Sequence, residues 1–144
     1  MMDEQRHIGR ECRTVSNLIK RKLDNMFSKK FGEGFTGIHS WIIGFIYRNK
    51  NKEIFQKDVE EEFSIRRSTA TNILQLMEKN GLIVRKSVEY DARLKKLELT
   101  DKAIEVHELI GEEINNIESQ VVKGLTEDEI ETFFMLIDKI KKNL

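Results

Sequence analysis

The feature that most constrains the fold is a change of hydrophobic period within the chain. Up to Gly81, and again from Thr100 onward, apolar residues recur at steps of three and four, which predicts amphipathic helices. Between these points the pattern shortens to Leu82-Ile83-Val84 and then to Leu97 and Leu99, which predicts two short β-strands. No proline interrupts the helical segments. We therefore expect a single β-hairpin inside an otherwise helical chain.

Two short helices are predicted immediately before the hairpin, over residues 56–63 and 67–80. The connection Ser64-Ile65-Arg66 is three residues long, and Asn80-Gly81 is a strong signal for a helix end. Two short helices joined by such a turn form a helix-turn-helix, with Ile65 filling the gap between them. The residues expected to be buried are Val59, Phe63, Ala70, Ile73, Leu74 and Met77.

Longer amphipathic helices are predicted on both sides of this core. The first ends near Phe31-Gly32, and the second begins at the N-cap residue Thr36. After the hairpin, a long helix begins at Thr100-Asp101 and ends before Gly124, and a capping box at Thr126 begins the last helix. The faces expected to be buried comprise Ile8, Cys12, Val15, Ile19, Leu23 and Met26; Ile38, Trp41, Ile42, Phe45 and Ile46; Val106, Leu109, Ile110, Ile114, Ile117 and Val121; and Ile130, Phe133, Phe134, Ile137 and Ile140.

The predicted fold class is mainly α with a small β-hairpin wing, a winged helix-turn-helix flanked by N- and C-terminal dimerisation helices. We expect a single domain over residues 1–144, in which residues 36–100 form the winged-helix core. Residues 1–35 and 101–144 would form a helical dimerisation region. The apolar stripes of these terminal helices exceed what one chain of 144 residues easily covers, so a homodimer is the economical interpretation.

Charge is unevenly distributed along the chain although the formal net charge is zero. Residues 64–97 carry eight basic and three acidic side chains, a local charge of +5, whereas residues 98–144 carry five basic and twelve acidic ones. A polyanionic partner requires such a local basic face rather than a basic chain. The sequence has neither the apolar stretch of a signal peptide nor a membrane-spanning run, so we expect a cytoplasmic protein without membrane contact.

The first candidate site lies at the start of the helix predicted over residues 67–80. In a docked helix-turn-helix the second helix enters the major groove, where Asn pairs with adenine and Arg with guanine or a phosphate. An ordinary solvent-facing helix end would carry the same polar residues, but the basic segment that follows favours DNA. The residues of this candidate site are Arg66, Arg67, Ser68, Thr69, Thr71 and Asn72.

The second candidate site is the segment SVEYDARLKKLELT, residues 87–100, which has no glycine or proline to form a tight turn. We expect a charged, extended connection that reaches DNA, with Arg93 near its tip in the minor groove. Asp91 would be repelled by DNA, so its expected role is to shape the wing by accepting hydrogen bonds from the loop backbone or by orienting Arg93. The alternative is a solvated hairpin. The side chains expected to meet phosphates are Arg85, Lys86, Lys95 and Lys96.

Several motifs in this region carry a family resemblance: residues 56–59, 65–72 and 76–83, followed by Asp91-x-Arg93 and Leu97-x-Leu99-Thr100. In order and spacing they resemble the winged helix of the MarR family of bacterial transcription regulators, including its D-x-R…L-T signature. The match covers about residues 54–101. The flanking helices agree with the family in length and position.

The resemblance implies a homodimer, assembled through the terminal helices, that binds a pseudo-palindromic operator in double-stranded DNA. By position, Ser68, Thr69, Thr71 and Asn72 would face bases, and Arg93 would be the wing-tip arginine. Arginine is common in the family at the position of Asn72, so the base preference would differ. Family members usually repress genes and release DNA when a small molecule or an oxidant binds.

The predicted function is a sequence-specific, DNA-binding transcription regulator, a repressor released by a small-molecule or oxidant signal and without catalytic activity. Activation instead of repression stays open. The alternative is a non-catalytic helical module whose winged helix binds protein, although such a module does not need the basic bias of residues 64–97. The GxGxxG spacing at residues 32–37 does not follow a predicted strand, so it does not indicate a phosphate-binding loop.

Signal-sensing residues are less clearly marked. Cys12 lies in the first helix, where oxidant-sensing relatives carry their sensor cysteine, but its place in the apolar stripe favours plain packing. The three histidines are scattered, so we expect no metal site and no cofactor. A candidate effector pocket between the dimerisation helices and the winged helix would use Arg13, Phe35, His39 and Trp41.

Overall fold

The computed structural model describes residues 5–31 and 34–144, which form six helices and one two-stranded sheet. The predicted order of helix, helix, helix-turn-helix, hairpin, helix and helix is confirmed. The predicted loop residue Gly32 lies outside the described residues. The elements are α1 (Ile8–Phe31), α2 (Gly37–Arg48), α3 (Gln56–Phe63), α4 (Arg67–Lys79), β1 (Ile83–Val88), β2 (Asp91–Leu99), α5 (Asp101–Val121) and α6 (Glu127–Lys142).

The chain divides into two compact units, Met1–Gly111 and Glu112–Leu144. The boundary falls inside α5, eleven residues beyond residue 100, where the predicted winged-helix core ends. The division into a DNA-binding core and a dimerisation region therefore stays a prediction. The described part of the chain contains no helix that is long and apolar enough to cross a membrane.

The core of the first unit holds α3 and α4 in place. Val59 of α3 and three residues of α4, Ala70, Leu74 and Met77, are fully buried, which confirms the predicted inner faces of the two helices. Phe63 is half-buried, and its ring packs edge-on against Phe45 of α2 with centroids 5.9 Å apart. Ile73, also predicted inward, is half-buried. The polar side of α4 faces outward because the helix buries Ala70, Leu74 and Met77 on its other side.

The turn between α3 and α4 is closed by main-chain hydrogen bonds. Ser64 adopts φ 50°, in the left-handed region, and the amide of Ile65 donates to the carbonyl of Glu60 over 3.1 Å. At the other end of α4, Gly81 adopts φ +74° and the amide of Leu82 donates to the carbonyl of Met77 over 2.9 Å. Left-handed residues thus follow the last turns of both α3 and α4.

The hairpin differs from the extended loop predicted over residues 87–100. The strands are longer than expected, and only Glu89 and Tyr90 lie between them. Ser87 pairs with Lys95 and Val88 with Asp91, so residues 92–94 form a bulge on β2. Within the described residues Ser64 is the only non-glycine residue with positive φ, so this turn needs no glycine.

Two contacts tie the hairpin to the segment before α3. The hydroxyl of Tyr90 donates to a carboxylate oxygen of Glu53 over 2.6 Å, near the turn. Farther from the turn, the amide of Leu97 donates to the carbonyl of Ile54 over 2.6 Å. The wing is therefore supported along β2 and is not a free-standing hairpin.

Thr100 joins the end of α4, the start of β1 and the start of α5. Its hydroxyl donates to the carbonyl of Gly81 over 2.6 Å and accepts from the amide of Ala103 over 3.2 Å, as an N-cap does. The ammonium group of Lys102 donates to the carbonyl of Asn80 over 2.9 Å. We refer to Thr100 and Lys102, with the two carbonyl groups they contact, as the α4–α5 joint.

Several predicted buried faces are wrong for the single chain. Trp41 is 44% exposed, whereas Ile42 and Ile46 are buried as predicted, together with His39 and Ile43, which were not predicted. In α1 the buried residues are Leu23 and Phe27, whereas Ile8 and Val15 are exposed. Leu109 and Val121 of α5 are exposed as well. The helical period was correct in each case, and part of each predicted stripe is buried as expected, but the rest is not covered within the chain. The buried members are Leu23, Ile42, Ile46, Val106, Ile110 and Ile117.

The last helix also lacks the predicted buried face within the chain. No residue of α6 is buried, and residues 133–136 are exposed. Its N-terminus matches the prediction: the amide of Glu129 donates to the hydroxyl of Thr126 over 3.1 Å, and the Glu129 carboxylate accepts from the Thr126 amide over 2.9 Å. The capping box is therefore confirmed.

His39 is a buried titratable group that the fold keeps neutral. Its Nδ1 accepts a hydrogen bond from the amide of Thr36 over 3.1 Å, and its ring lies 5.6 Å from that of Phe35. Burial lowers the pKa of His39, and the nearby carboxylate of Asp24 opposes this effect in part. Protonation of Nδ1 would remove the acceptor that caps α2.

The stability that depends on neutral His39 is expected to be lost on acidification. It is fully present above the ordinary histidine pKa of about 6.5, and it falls as the pH drops through that value toward the lowered folded-state pKa. Between about pH 7.5 and about pH 5, the Tm of the wild type should fall more than that of His39→Asn, which keeps a neutral acceptor. The exposed His7→Asn should behave like the wild type. An equal fall in all three proteins would contradict this role.

Candidate nucleic-acid interface

A groove of about 570 Å³ lies between the helix-turn-helix and the wing. Gln56, Phe55 and Thr71 form part of its lining, together with Leu94 of the bulge. Five basic side chains and a single acidic one, Glu60, also line it. Such a concentration of positive charge in a cleft attracts polyanions. The basic residues are Lys57, Arg67, Arg85, Arg93 and Lys95.

The start of α4 presents most of its predicted contact residues to solvent. Arg66 is the N-cap residue of the helix and is exposed. In the first turns of α4, the residues on the side opposite the buried Ala70 and Leu74 face solvent and can contact a ligand. The exposed members of the predicted set on α4 are Arg67, Ser68, Thr69 and Asn72.

Thr71 differs from the other predicted contact residues of α4. It is half-buried, and its hydroxyl accepts a hydrogen bond from the side-chain amide of Gln56 over 2.8 Å. The same amide group lies 3.4 Å from the carbonyl oxygen of Arg67. Thr71 therefore contributes to the junction of α3 and α4, in addition to lining the groove.

Gln56 and Lys57 were not among the predicted contact residues, although both line the groove. The ammonium group of Lys57 is 4.0 Å from the carboxylate of Glu61, one turn farther along α3, and its side chain is largely exposed. Two polar residues at the start of a short helix give no periodic signal. They lie in the groove because the first turn of α3 packs against α4, a contact that the sequence pattern does not reveal.

Arg93 and Asp91 form a close pair on β2. The Asp91 carboxylate accepts from the main-chain amide of Arg93 over 2.9 Å, and from its Nε and Nη2 over 3.2 and 3.3 Å. The Arg93 side chain is 91% exposed and that of Asp91 only 27%. Hydrogen bonds from Arg93 also lower the pKa of Asp91. These contacts orient the guanidinium group outward, as expected of a wing-shaping carboxylate.

The other predicted wing cations contact partners within the chain. Lys86 and Lys96 place their ammonium groups 2.7 and 3.3 Å from the carboxylate of Glu98, and hydrogen bonding to Lys86 is the main cause of a lowered pKa at Glu98. Arg85 is 3.6 Å from the carboxylate of Glu78. Lys95 donates to the hydroxyl of Ser87. The role of Glu98 was not foreseen, because it depends on the strand register.

The structure brings together only part of the predicted effector pocket. Phe35 and His39 are adjacent and buried. Trp41 lies two residues beyond His39 on α2 and is exposed, and Arg13 is exposed on α1. A cavity of about 420 Å³ has Phe35 in its wall, where it lies with Phe31, Lys79, Asn80, Leu82, Lys102 and Val106. Lys79 and Lys102 give this mixed polar and apolar cavity two positive charges.

Cys12 is exposed on α1, so the predicted packing of this residue in an apolar stripe is not realised within the single chain. Over residues 5–31 and 34–144, no three His, Cys, Asp or Glu side chains are grouped closely enough to hold a metal ion.

Comparisons with known proteins agree with this geometry. A sequence model described as the MarR family matches residues 33–94. The transcription regulator MarR from Oenococcus oeni PSU-1 is 37% identical, with 94% of this chain and 99% of that chain aligned and a TM-score of 0.77. The uncharacterized HTH-type transcriptional regulator YybA of Bacillus subtilis is 27% identical over 128 residues, which are 88% of this chain and 84% of the relative.

A further similar structure is the Staphylococcus aureus MepR–DNA complex. It is 23% identical, covers 97% of this chain and 100% of that chain, and has a TM-score of 0.87, which shows a common fold. The 37% identity to the Oenococcus regulator extends over nearly the whole chain and establishes the family. The resemblance seen in the winged-helix motifs is therefore confirmed: this chain belongs to the MarR family and is a DNA-binding transcription regulator of the winged-helix type.

Proposed function

We propose that the chain acts as a homodimeric repressor that binds a pseudo-palindromic operator and leaves it when a signal arrives. The observation that carries the DNA-binding part is the groove in which five basic side chains from α3, α4 and the wing converge. A rival role as a protein-binding module would give no reason for this charge. Such a regulator would act in the cytoplasm, where its DNA target lies, and without catalysis.

In the proposed complex, the start of α4 enters the major groove. Ser68, Thr69 and Asn72 are exposed there and would contact base edges, with Asn72 suited to adenine. Arg66 and Arg67 would meet phosphates beside the helix N-terminus. Thr71 would support this surface through its bond to Gln56 instead of reading a base directly.

The wing would contact the adjacent minor groove. Arg93 is the most exposed of the ion-paired wing cations, and Asp91 holds its guanidinium group in a defined direction. Preorganisation of this kind lowers the entropy lost when a long side chain is ordered on binding. Arg85 and Lys95 line the same groove and would follow the phosphate backbone between the two sites.

A homodimer would give the operator its two-fold symmetry. The exposed apolar residues 133–136 of α6, and Ile8, Val15 and Leu18 of α1, support an interface between two copies, because apolar helix faces left open to solvent favour association. Two copies of α4 would then enter successive major grooves about 10 bp apart.

The cavity beside Phe35 supports the release step. A small anionic molecule with an apolar body would suit its two phenylalanines and two lysines. It would touch Asn80 and Lys102, which belong to the α4–α5 joint. Binding there would favour one arrangement of the two winged helices over another, which is the differential affinity that release requires.

Titration of the protein with a labelled duplex containing its operator tests the proposed DNA binding. Affinity should fall steeply as salt rises, with a log–log slope of about −0.9 for each phosphate that is neutralised. A scrambled duplex of the same length is the control for sequence specificity. Failure to bind any duplex at low salt, or binding that does not respond to salt, would exclude this function. A promoter fusion then distinguishes repression from activation.

A further inference from the structure

The strand face that carries Lys86 and Lys96, two of the predicted phosphate contacts, lies opposite the face whose Arg85 and Lys95 line the groove. Val84 pairs with Glu98 and Lys86 with Lys96 across the two strands. Because alternate residues of a strand point to the same side, these four side chains share one face. Two lysines directly opposite each other repel, and such a pair is ordinarily unfavourable in a sheet.

Glu98 compensates this repulsion. It lies diagonally across from Lys86 on the other strand and two residues beyond Lys96 on the same strand. Each of its two carboxylate oxygens contacts one of these lysines. Oε2 is 2.7 Å from the ammonium group of Lys86, and Oε1 is 3.3 Å from that of Lys96. A single carboxylate therefore reduces the net charge of this face from +2 to +1.

The three side chains remain accessible to solvent, with exposed fractions of 59% for Lys86, 37% for Glu98 and 30% for Lys96. Exposed ion pairs contribute little to stability because water and salt screen them. A phosphate group approaching the wing can therefore displace the carboxylate from either lysine. The free energy needed to break these ion pairs reduces the binding free energy that the lysines gain from DNA phosphates.

We propose that Glu98 limits the DNA affinity of this regulator by competing with operator phosphates for Lys86 and Lys96. The inference rests on the proposed DNA-binding function and concerns its strength. It assigns Glu98 as an affinity-determining residue that acts through two lysines and does not itself contact a base. The same carboxylate keeps non-specific attraction to DNA low, since that attraction depends on phosphate contacts alone.

Glu98→Gln should bind operator duplex about 3- to 10-fold more tightly at low salt, with a log–log salt slope steeper by about one to two. Glu89→Gln is the matched control, because it removes the same charge from the same wing at the turn. Glu89 makes no bond to either lysine within the described chain. Glu89→Gln should therefore change operator affinity and the salt slope clearly less than Glu98→Gln does. An equal effect of the two substitutions would overturn the inference.

A variant lacking both lysines separates competition from simple repulsion. In Lys86→Met/Lys96→Met, adding Glu98→Gln should no longer raise affinity if the carboxylate acts through the lysines. Persistence of the gain would show that Glu98 merely repels DNA. Glu98→Ala should reproduce the gain, and thermal unfolding of every variant checks that the fold is retained. A wild type that binds no duplex at low salt would overturn the proposed function, and the inference with it.

Discussion

Replacing Phe133 and Phe134 with glutamate is expected to yield a monomer that binds operator DNA at least about 100-fold more weakly than the parent chain. The two side chains are 56% and 59% exposed, and their rings lie 6.1 Å apart on α6. If a second copy covers them, each glutamate would place an unpaired charge in an apolar contact. Loss of the dimer removes the second half-site, whose binding is otherwise intramolecular.

Sedimentation equilibrium would give the oligomeric state of this double variant, and fluorescence anisotropy would give its operator affinity. Leu144→Glu is a suitable control, because it introduces the same charge at a fully exposed apolar residue at the end of the chain. It should remain dimeric. Circular dichroism establishes that the double variant is folded. A double variant that stays dimeric would place the interface elsewhere.

Arg93→Ala is expected to weaken operator binding by about 1–3 kcal/mol, while leaving dimerisation unchanged. The substitution removes a cation that is almost fully exposed and already oriented by Asp91. If the guanidinium group enters a narrow minor groove, the loss should be greatest on A·T-rich flanks, where the negative potential is highest.

Arg21→Ala, on the exposed surface of α1, removes the same charge outside the winged helix and serves as the control. Arg93→Lys adds a further comparison, because it keeps the charge but not the planar fork that Asp91 holds. Titrations on operators with A·T-rich and G·C-rich flanks would show whether the arginine responds to groove shape. Unchanged affinity in Arg93→Ala would mean that the wing does not contact DNA.

Local signals were sufficient to predict the helices and their ends. Gly81, Gly124 and the capping box at Thr126 mark boundaries that depend on neighbouring residues alone, and the structure has them where expected. The buried residues of α3 and α4 were equally predictable, because one apolar stripe on each helix faces a single core. Motif order and spacing then led to the family.

Features that depend on partners distant in the sequence were not predictable in the same way. The absence of glycine suggested a long loop, but the bulge at residues 92–94 allows a two-residue turn. Pairing of Glu98 with Lys86 follows only once the register is known. On α2, Ile42 and Ile46 of the predicted face are buried, but tertiary packing leaves Trp41 exposed.

The α4–α5 joint has a consequence for how such a regulator acquires new targets. Thr100 and Lys102 donate hydrogen bonds to the main-chain carbonyl groups of Gly81 and Asn80, and main-chain groups are present whatever side chains α4 carries. The recognition surface can therefore mutate without loosening the attachment of the helix that carries it. Ser68, Thr69 and Asn72 can therefore be replaced after gene duplication, while these main-chain hydrogen bonds continue to hold the recognition helix in place.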